Sequence, residues 1–69
     1  MKKNCEIITY FARYNLKTYR PERILKVEIV VEGKVVRKYN NSTLRAIDYA
    51  FKNNLNWELH TVINNERIV

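Results

Sequence analysis

Apolar and polar residues alternate along the segment Ile24–Tyr39, and this pattern predicts a β-hairpin. The predicted turn is Glu32-Gly33, a two-residue connection in which Gly33, the only glycine of the chain, adopts positive φ without steric cost. The apolar residues of the first strand recur at every second position and form the predicted inner face. They are Leu25, Val27, Ile29 and Val31.

A two-residue turn fixes which residues of the hairpin lie opposite each other. The predicted pairs are Val31 with Lys34, Ile29 with Val36, and Glu28 with Arg37. The last pair joins opposite charges on the outer face and is worth ~0.2–1 kcal/mol. A three-residue loop with a bulge at Gly33 is the alternative, and it would shift the register by one and break that pair. Because an isolated hairpin is marginal in water, other elements must cover its apolar face.

The segment before the hairpin divides into an ambiguous element and a connection. Residues 5–14 are rich in β-formers, but Ile7, Phe11 and Tyr14 also fall at helical spacing. We predict a strand, because the hairpin needs further strands to make a sheet. Residues 15–23 are predicted to be a connection, since Pro21 lacks a ladder donor.

A helix is predicted after the hairpin, capped by Asn41 or Ser42 and running to about Asn53. Asp48 and Lys52 are spaced for a helical ion pair worth ~0.3–0.5 kcal/mol. Asn53-Asn54 is predicted to end the helix with a left-handed backbone conformation. The predicted buried stripe consists of Leu44, Ile47, Ala50 and Phe51.

Alternation returns after the helix and predicts a final strand from Leu55. Trp57 is in phase with Leu55 and Leu59, which favours a place in the core over a partner hot spot. Asn64-Asn65 is expected to end the strand. The tail Glu66–Val69 is expected to add a short pairing or to fray.

Together these elements predict one α+β domain over residues 1–69, in the order β-β-β-α-β. One helix packs on one face of a three- to four-stranded sheet. A right-handed crossover through the helix would make the last strand parallel to the third. The order of the strands in the sheet stays open.

The charge and the composition limit the classes of protein to which this chain can belong. The net charge is +6, and residues 1–23 carry six basic and two acidic side chains. Such asymmetry favours an acidic partner, although a solvated surface is the alternative. A single cysteine, Cys5, excludes a disulfide framework and indicates a reducing cytoplasm. No stretch approaches the ~20 apolar residues of a membrane span, and no membrane partner is expected.

Catalytic chemistry is not indicated. A small hydrolase or nuclease that uses His60 and Glu58 is the weakest of three hypotheses. It would need a nucleophile or a second carboxylate, and the available Cys5, Ser42 and Asp48 form no triad-like pattern with His60. Nothing marks Cys5 as an activated nucleophile. No metal site and no cofactor are expected.

The strongest candidate surface interleaves basic and aromatic residues in the N-terminal half of the chain. Bases stack on aromatic rings while Lys and Arg meet phosphates, and the same residue types suit a protein interface. The alternative is that Tyr10, Phe11 and Tyr14 complete the core. The candidate partner or nucleic-acid-binding residues are Arg13, Tyr14, Lys17, Tyr19, Arg20, Arg23, Lys26 and Lys38.

The run Lys26–Ile63, with its hairpin, its Asn41–Phe51 helix and its final strand, resembles small ββαβ phage accessory proteins. The phage inhibitors of bacterial RNA polymerase are one such family. The resemblance lies in element order, covers about half the chain and carries over no functional residue. It implies a regulator that uses a charged surface to block a nucleic-acid machine.

The leading hypothesis is therefore a non-enzymatic binding module, a phage or mobile-element regulator or inhibitor that docks on an acidic surface of a host protein. It would act in the host cytoplasm. The alternative is a nucleic-acid-binding protein that uses the basic-aromatic surface. The chain is expected to be a monomer or a homodimer joined through an edge strand.

Overall fold

A computed structural model describes residues 2–64 and confirms the predicted α+β fold. The elements follow the predicted order. They are β1 (Lys3–Asn15), β2 (Arg20–Val31), β3 (Lys34–Tyr39), α1 (Thr43–Lys52) and β4 (Leu55–Ile63). The strand predicted over residues 5–14 is thus confirmed.

The four strands form one mixed sheet in the order β3-β2-β1-β4. β1 pairs antiparallel with β2, β2 pairs antiparallel with β3, and β4 pairs parallel with β1. β4 therefore runs in the same direction as β3, as a crossover through the helix predicts. It does not lie beside β3, however, because the chain passes over both β2 and β1 and adds β4 at the far edge.

The β2–β3 hairpin has the predicted two-residue turn, in which Glu32 (φ 52°) and Gly33 (φ 79°) are both left-handed and Val31 opposes Lys34. The other two predicted pairs are wrong. A bulge between Ile29 and Val30 leaves the extra residue Val36 without a partner. As a result Ile29 opposes Arg37, and Glu28 opposes Lys38.

A second bulge lies in the β1–β2 pair. Tyr10 opposes Lys26 and Phe11 opposes Ile24, so Leu25 is the extra residue. The bulge changes the face of the sheet on which Ile24 and the residues of β2 before it place their side chains. Ile24 consequently packs against the core, and Leu25, predicted to lie on the inner face, is exposed.

The connection predicted over residues 15–23 is shorter in the structure, where only residues 16–19 form a turn. Asn15 Oδ1 accepts hydrogen bonds from the backbone N–H groups of Lys17 (2.8 Å) and Thr18 (3.3 Å), which closes the turn within four residues. Pro21 lies in β2 opposite Tyr14. A proline is tolerated there because β3 pairs with β2 only from Val27 onward within residues 2–64, so the side of β2 away from β1 needs no donor at Pro21.

Helix α1 begins and ends as predicted. Ser42 Oγ accepts the Arg45 N–H at 3.3 Å, and Asn54 has the left-handed φ of 56°. Asp48 and Lys52 form the predicted ion pair, with Oδ2 and Nζ 3.0 Å apart.

The predicted buried stripe of α1 is half wrong. Leu44 and Phe51 are 78% and 71% exposed, whereas Ala46 and Ala50 are fully buried. Two alanines on the inner side let the helix lie close to the sheet. The larger apolar residues are left on its flank.

The core lies between α1 and one face of the sheet. Its buried members are Cys5, Ile7, Val27, Ile29, Ala46 and Ala50. Trp57 was predicted to belong to it with Leu59, but they are 39% and 57% exposed, because a ten-residue helix covers only part of the sheet. The predictions for Asn65 and for Glu66–Val69 lie outside the described residues. Within residues 2–64, no helix is long and apolar enough to cross a membrane.

Candidate binding surface

The central strands β1 and β2 extend past their neighbours at one end of the sheet. Within residues 2–64, β4 pairs with β1 as far as Phe11, and β3 pairs with β2 from Val27 onward. Residues 12–23 therefore form a two-stranded ribbon, which we name the arm. It accounts for the elongated shape of the molecule, 47 × 20 × 17 Å.

The arm holds its shape through local polar contacts and a tight turn. Arg13 Nε lies 3.4 Å from Glu22 Oε1 across the two strands. Tyr19 (φ 55°) and Arg23 (φ 60°) adopt the left-handed region, which costs a non-glycine residue roughly 1–2 kcal/mol. The contact between Arg13 and Glu22 and the turn closed by Asn15 are the interactions that offset this cost and hold the ribbon.

The end of the arm presents cations beside exposed apolar side chains. Lys17, Arg20 and Arg23 are exposed, and within residues 2–64 none of them makes an ion pair. Tyr19 and Leu16 are 75% and 77% exposed in the same turn. Positive side chains and an exposed aromatic ring thus lie together, a combination that nucleic-acid-binding surfaces use.

Lys26 and Lys38 belong to a different surface, the face of the sheet opposite α1. Lys26 Nζ lies 3.5 Å from Glu28 Oε2 and 4.7 Å from the centroid of the Tyr10 ring. Glu28 is itself buried and lies opposite Lys38. Hydrogen bonding to the Glu28 carboxylate, followed by burial and the Glu28 charge, raises the pKa of Tyr10. Lys26 thus contacts Glu28 and Tyr10 on the surface of the sheet, although it lies at the base of the arm.

The structure brings together six of the eight predicted binding residues. Arg13, Tyr14, Lys17, Tyr19, Arg20 and Arg23 all lie on the arm. Leu16 was not among the predicted residues, although it is as exposed as its neighbours. A single leucine between Asn15 and Lys17 in a polar segment is the signal that could have indicated it.

The residues considered for catalysis lie on two strands, Cys5 on β1 and the pair Glu58 and His60 on β4. Burial raises the pKa of the Cys5 thiol, which disfavours the thiolate that a nucleophile needs. His60 Nε2 and Glu58 Oε1 are 3.7 Å apart on the exposed strand β4. No group of three or more His, Cys, Asp or Glu side chains within residues 2–64 is placed to hold a metal ion.

Comparison with protein-family models, with curated proteins and with solved structures finds no match for this chain. The resemblance to phage accessory proteins therefore stays a prediction, and the functional argument depends on the geometry of the arm.

Proposed function

We propose that this protein is a non-enzymatic binding module that uses the arm to bind nucleic acid. The observation that supports this proposal is the projection of a two-stranded ribbon that carries an exposed Tyr19 and three cations without an ion pair among residues 2–64, namely Lys17, Arg20 and Arg23. Among the two binding hypotheses, the ribbon favours the nucleic-acid alternative over an acidic protein surface.

The shape of the arm suits a groove of a duplex. The major groove of B-DNA is about 12 Å wide and admits a two-stranded β-ribbon. Lysine and arginine side chains on such a ribbon neutralise phosphates and release counterions, which supplies most of the affinity for any sequence. Tyr19 and Tyr14 can stack on unpaired bases, so a single strand is an equally suitable ligand for their rings.

An acidic surface of a host protein is the second candidate, and one observation favours it. Leu16 is exposed at the end of the arm, where a leucine contributes nothing to phosphate binding but suits an apolar pocket on a protein. The resemblance to phage inhibitors would then place the partner in a host nucleic-acid machine. Either partner is compatible with a cytoplasmic location, which the buried free thiol of Cys5 also favours.

A salt titration tests the proposal. Fluorescence anisotropy should report binding to mixed-sequence duplex DNA and single-stranded RNA that weakens steeply as salt rises. Replacing Lys17 or Arg20 by glutamine should lower the slope of log K against log[salt] by about 1 for each phosphate contact removed. Lys34→Gln is the matched control, because Lys34 is an exposed lysine in the β2–β3 hairpin, outside the arm.

Two outcomes would count against nucleic acid. The absence of binding at low salt would rule it out. Equal effects of Lys17→Gln and Lys34→Gln would mean that net charge alone attracts the ligand and that the arm has no special role. If Leu16→Ala abolishes capture of a stoichiometric partner from nuclease-treated host lysate, while Lys34→Gln does not, the acidic-protein candidate is favoured.

A further inference from the structure

The two outer edges of the sheet differ in charge. β3 carries Lys34, Arg37 and Lys38 within six residues, so two copies of this edge would repel each other. β4 carries one carboxylate, Glu58, and one histidine, His60, within nine residues. Within residues 2–64, no strand covers the outer side of β4. An edge strand of this length with little charge is a template for pairing with another chain.

The direction of the backbone groups of β4 can be assigned from one hydrogen bond. The Asn64 N–H donates to the Phe11 carbonyl at 2.8 Å, so Asn64 directs its backbone toward β1. Because successive residues of a strand alternate, the odd-numbered residues direct their N–H and C=O groups toward the open edge. These residues are Leu55, Trp57, Leu59, Thr61 and Ile63.

We propose that this edge joins two copies of the chain, with β4 pairing antiparallel to its own copy about a two-fold axis at Leu59. This register uses every residue of β4, since Leu55 then opposes Ile63 of the second copy and Trp57 opposes Thr61. Each outward N–H and C=O between Leu55 and Ile63 acquires a partner. The two sheets become one sheet of eight strands.

The polar side chains of β4 select the same register, because an imidazole N–H can donate to a carboxylate. With the axis at Leu59, Glu58 lies opposite His60 of the second copy, and this pair occurs twice by symmetry. An axis at Glu58 would place two carboxylates opposite each other, and an axis at His60 would leave each Glu58 opposite Val62. The second copy is therefore the occupant that the polar side chains of this edge favour.

The apolar flank of α1 supplies a second contact. Arg37 of β3 stacks on Tyr49 at 5.7 Å, which assigns the Tyr49 side of the helix to β3 and its opposite side to β4. At 100° per residue, Leu44, Ile47 and Phe51 lie on that opposite side. In the dimer both helices lie on one face of the joined sheet, so these flanks turn toward each other.

The same two-fold axis places the start of the apolar flank of one helix against the end of the flank of the other. Thr43 is hydrogen-bonded to Thr9, which is in register with Thr61, so Leu44 lies near the level of Thr61. Phe51 precedes the short turn into Leu55 and lies near the level of Trp57. Because Trp57 opposes Thr61 of the second copy, Phe51 faces Leu44 of that copy. The exposed apolar residues of the helix and of β4 would thus cover one another.

The mass in solution tests the proposal. Sedimentation equilibrium over a concentration series should give a species of twice the 8.3 kDa chain mass. Leu59→Lys, which places two lysines on the axis, should restore the monomer, while Val36→Lys on the β3 edge should leave the dimer intact. Circular dichroism of each variant separates dissociation from unfolding. A wild-type monomer at every concentration would overturn the proposal, and so would dissociation by both variants.

A cysteine scan tests the register. In a Cys5→Ala background, Leu59→Cys should give a symmetric disulfide on mild oxidation, because a self-paired position has the ~5.5 Å Cα separation that a disulfide accepts. Val62→Cys should not cross-link, since position 62 lies opposite position 56. Equal cross-linking at both positions would contradict the register. The arm takes no part in these tests, so their outcome is independent of nucleic-acid binding.

Discussion

Thr9 Oγ1 and Thr43 Oγ1 lie 3.0 Å apart, and this hydrogen bond joins the middle of β1 to the first residue of α1. Thr9 is buried, so its hydroxyl has been removed from water and needs a partner. The bond fixes the start of the helix over β1. Because Thr43 is fixed, the helical repeat places Ala46 and Ala50 against the sheet.

Breaking this bond from either side should destabilise the domain. Thr9→Val or Thr43→Val should each lower the free energy of unfolding by about 1 kcal/mol, because each leaves one hydroxyl without its partner. The double variant should lose less than the sum of the two, with a coupling of about 0.5–1.5 kcal/mol. Urea unfolding at a fixed protein concentration measures all three. Strict additivity would mean that the two hydroxyls do not interact.

A single substitution in the β2–β3 turn should stabilise the domain. Glu32 has a φ of 52°, a region in which asparagine is more easily accommodated than glutamate. Glu32→Asn should therefore raise the free energy of unfolding by about 0.5–1 kcal/mol, even though the exposed contact with Lys3 at 3.9 Å is lost. Glu32→Gln removes the same charge without the conformational gain, and a thermal-unfolding midpoint that rises equally in both variants would contradict this account.

The close approach of helix and sheet at Ala50 should tolerate no larger side chain. Ala50→Leu should lower the free energy of unfolding by about 1–3 kcal/mol, because the helix must move away from β1 or the side chain must adopt a strained rotamer. Arg45→Leu introduces the same side chain on the exposed face of α1 and should change stability by less than about 0.5 kcal/mol. Similar losses in both variants, measured by denaturant unfolding, would mean that the space at Ala50 is not limiting.

The buried thiol of Cys5 should make stability fall at alkaline pH. Burial raises the pKa of Cys5, so the folded chain retains the proton while the unfolded chain releases it above the ordinary thiol pKa of about 8.5. Unfolding then releases a proton, and the free energy of unfolding decreases as pH rises through that range, while below it the contribution is fully present. The decline between about pH 8 and pH 10 should be shallower in Cys5→Ala. Parallel curves for the two proteins would contradict the prediction, since the raised pKa of Tyr10 persists in both.

The sequence allowed the order of the elements and the bounds of β4 and α1 to be predicted, because periods of 2 and 3.6 residues persist through them. It did not allow the bulges at Leu25 and Val36 to be foreseen. Each bulge is one extra residue in a run of β-branched and apolar side chains, and such a run alternates equally well before and after the insertion. The face assignments beyond each bulge were therefore lost.

The helix shows a second limit. Leu44 and Phe51 were predicted to be buried because they are large and apolar, and Ala46 was not. The alanine is buried instead, because the short distance between α1 and the sheet excludes large side chains. The arm shows a third limit. Pro21 predicted a loop, but a two-stranded ribbon has a free side on which a missing donor costs nothing. The six arm residues could be predicted as a candidate surface, whereas their arrangement on two paired strands could not.

The parallel pairing of β1 with β4 also has a consequence for the order of folding. Asn4 and Asn56, whose side chains touch across this pair, are 52 residues apart in the chain, while β1, β2 and β3 are joined by short turns. Contacts between distant segments form more slowly than local ones, because a long loop must first be closed. The three-stranded meander can therefore assemble before β4 is added to the sheet. We therefore expect Cys5 and Ile7 to remain open to solvent and to chaperones until the last element of the sheet has arrived.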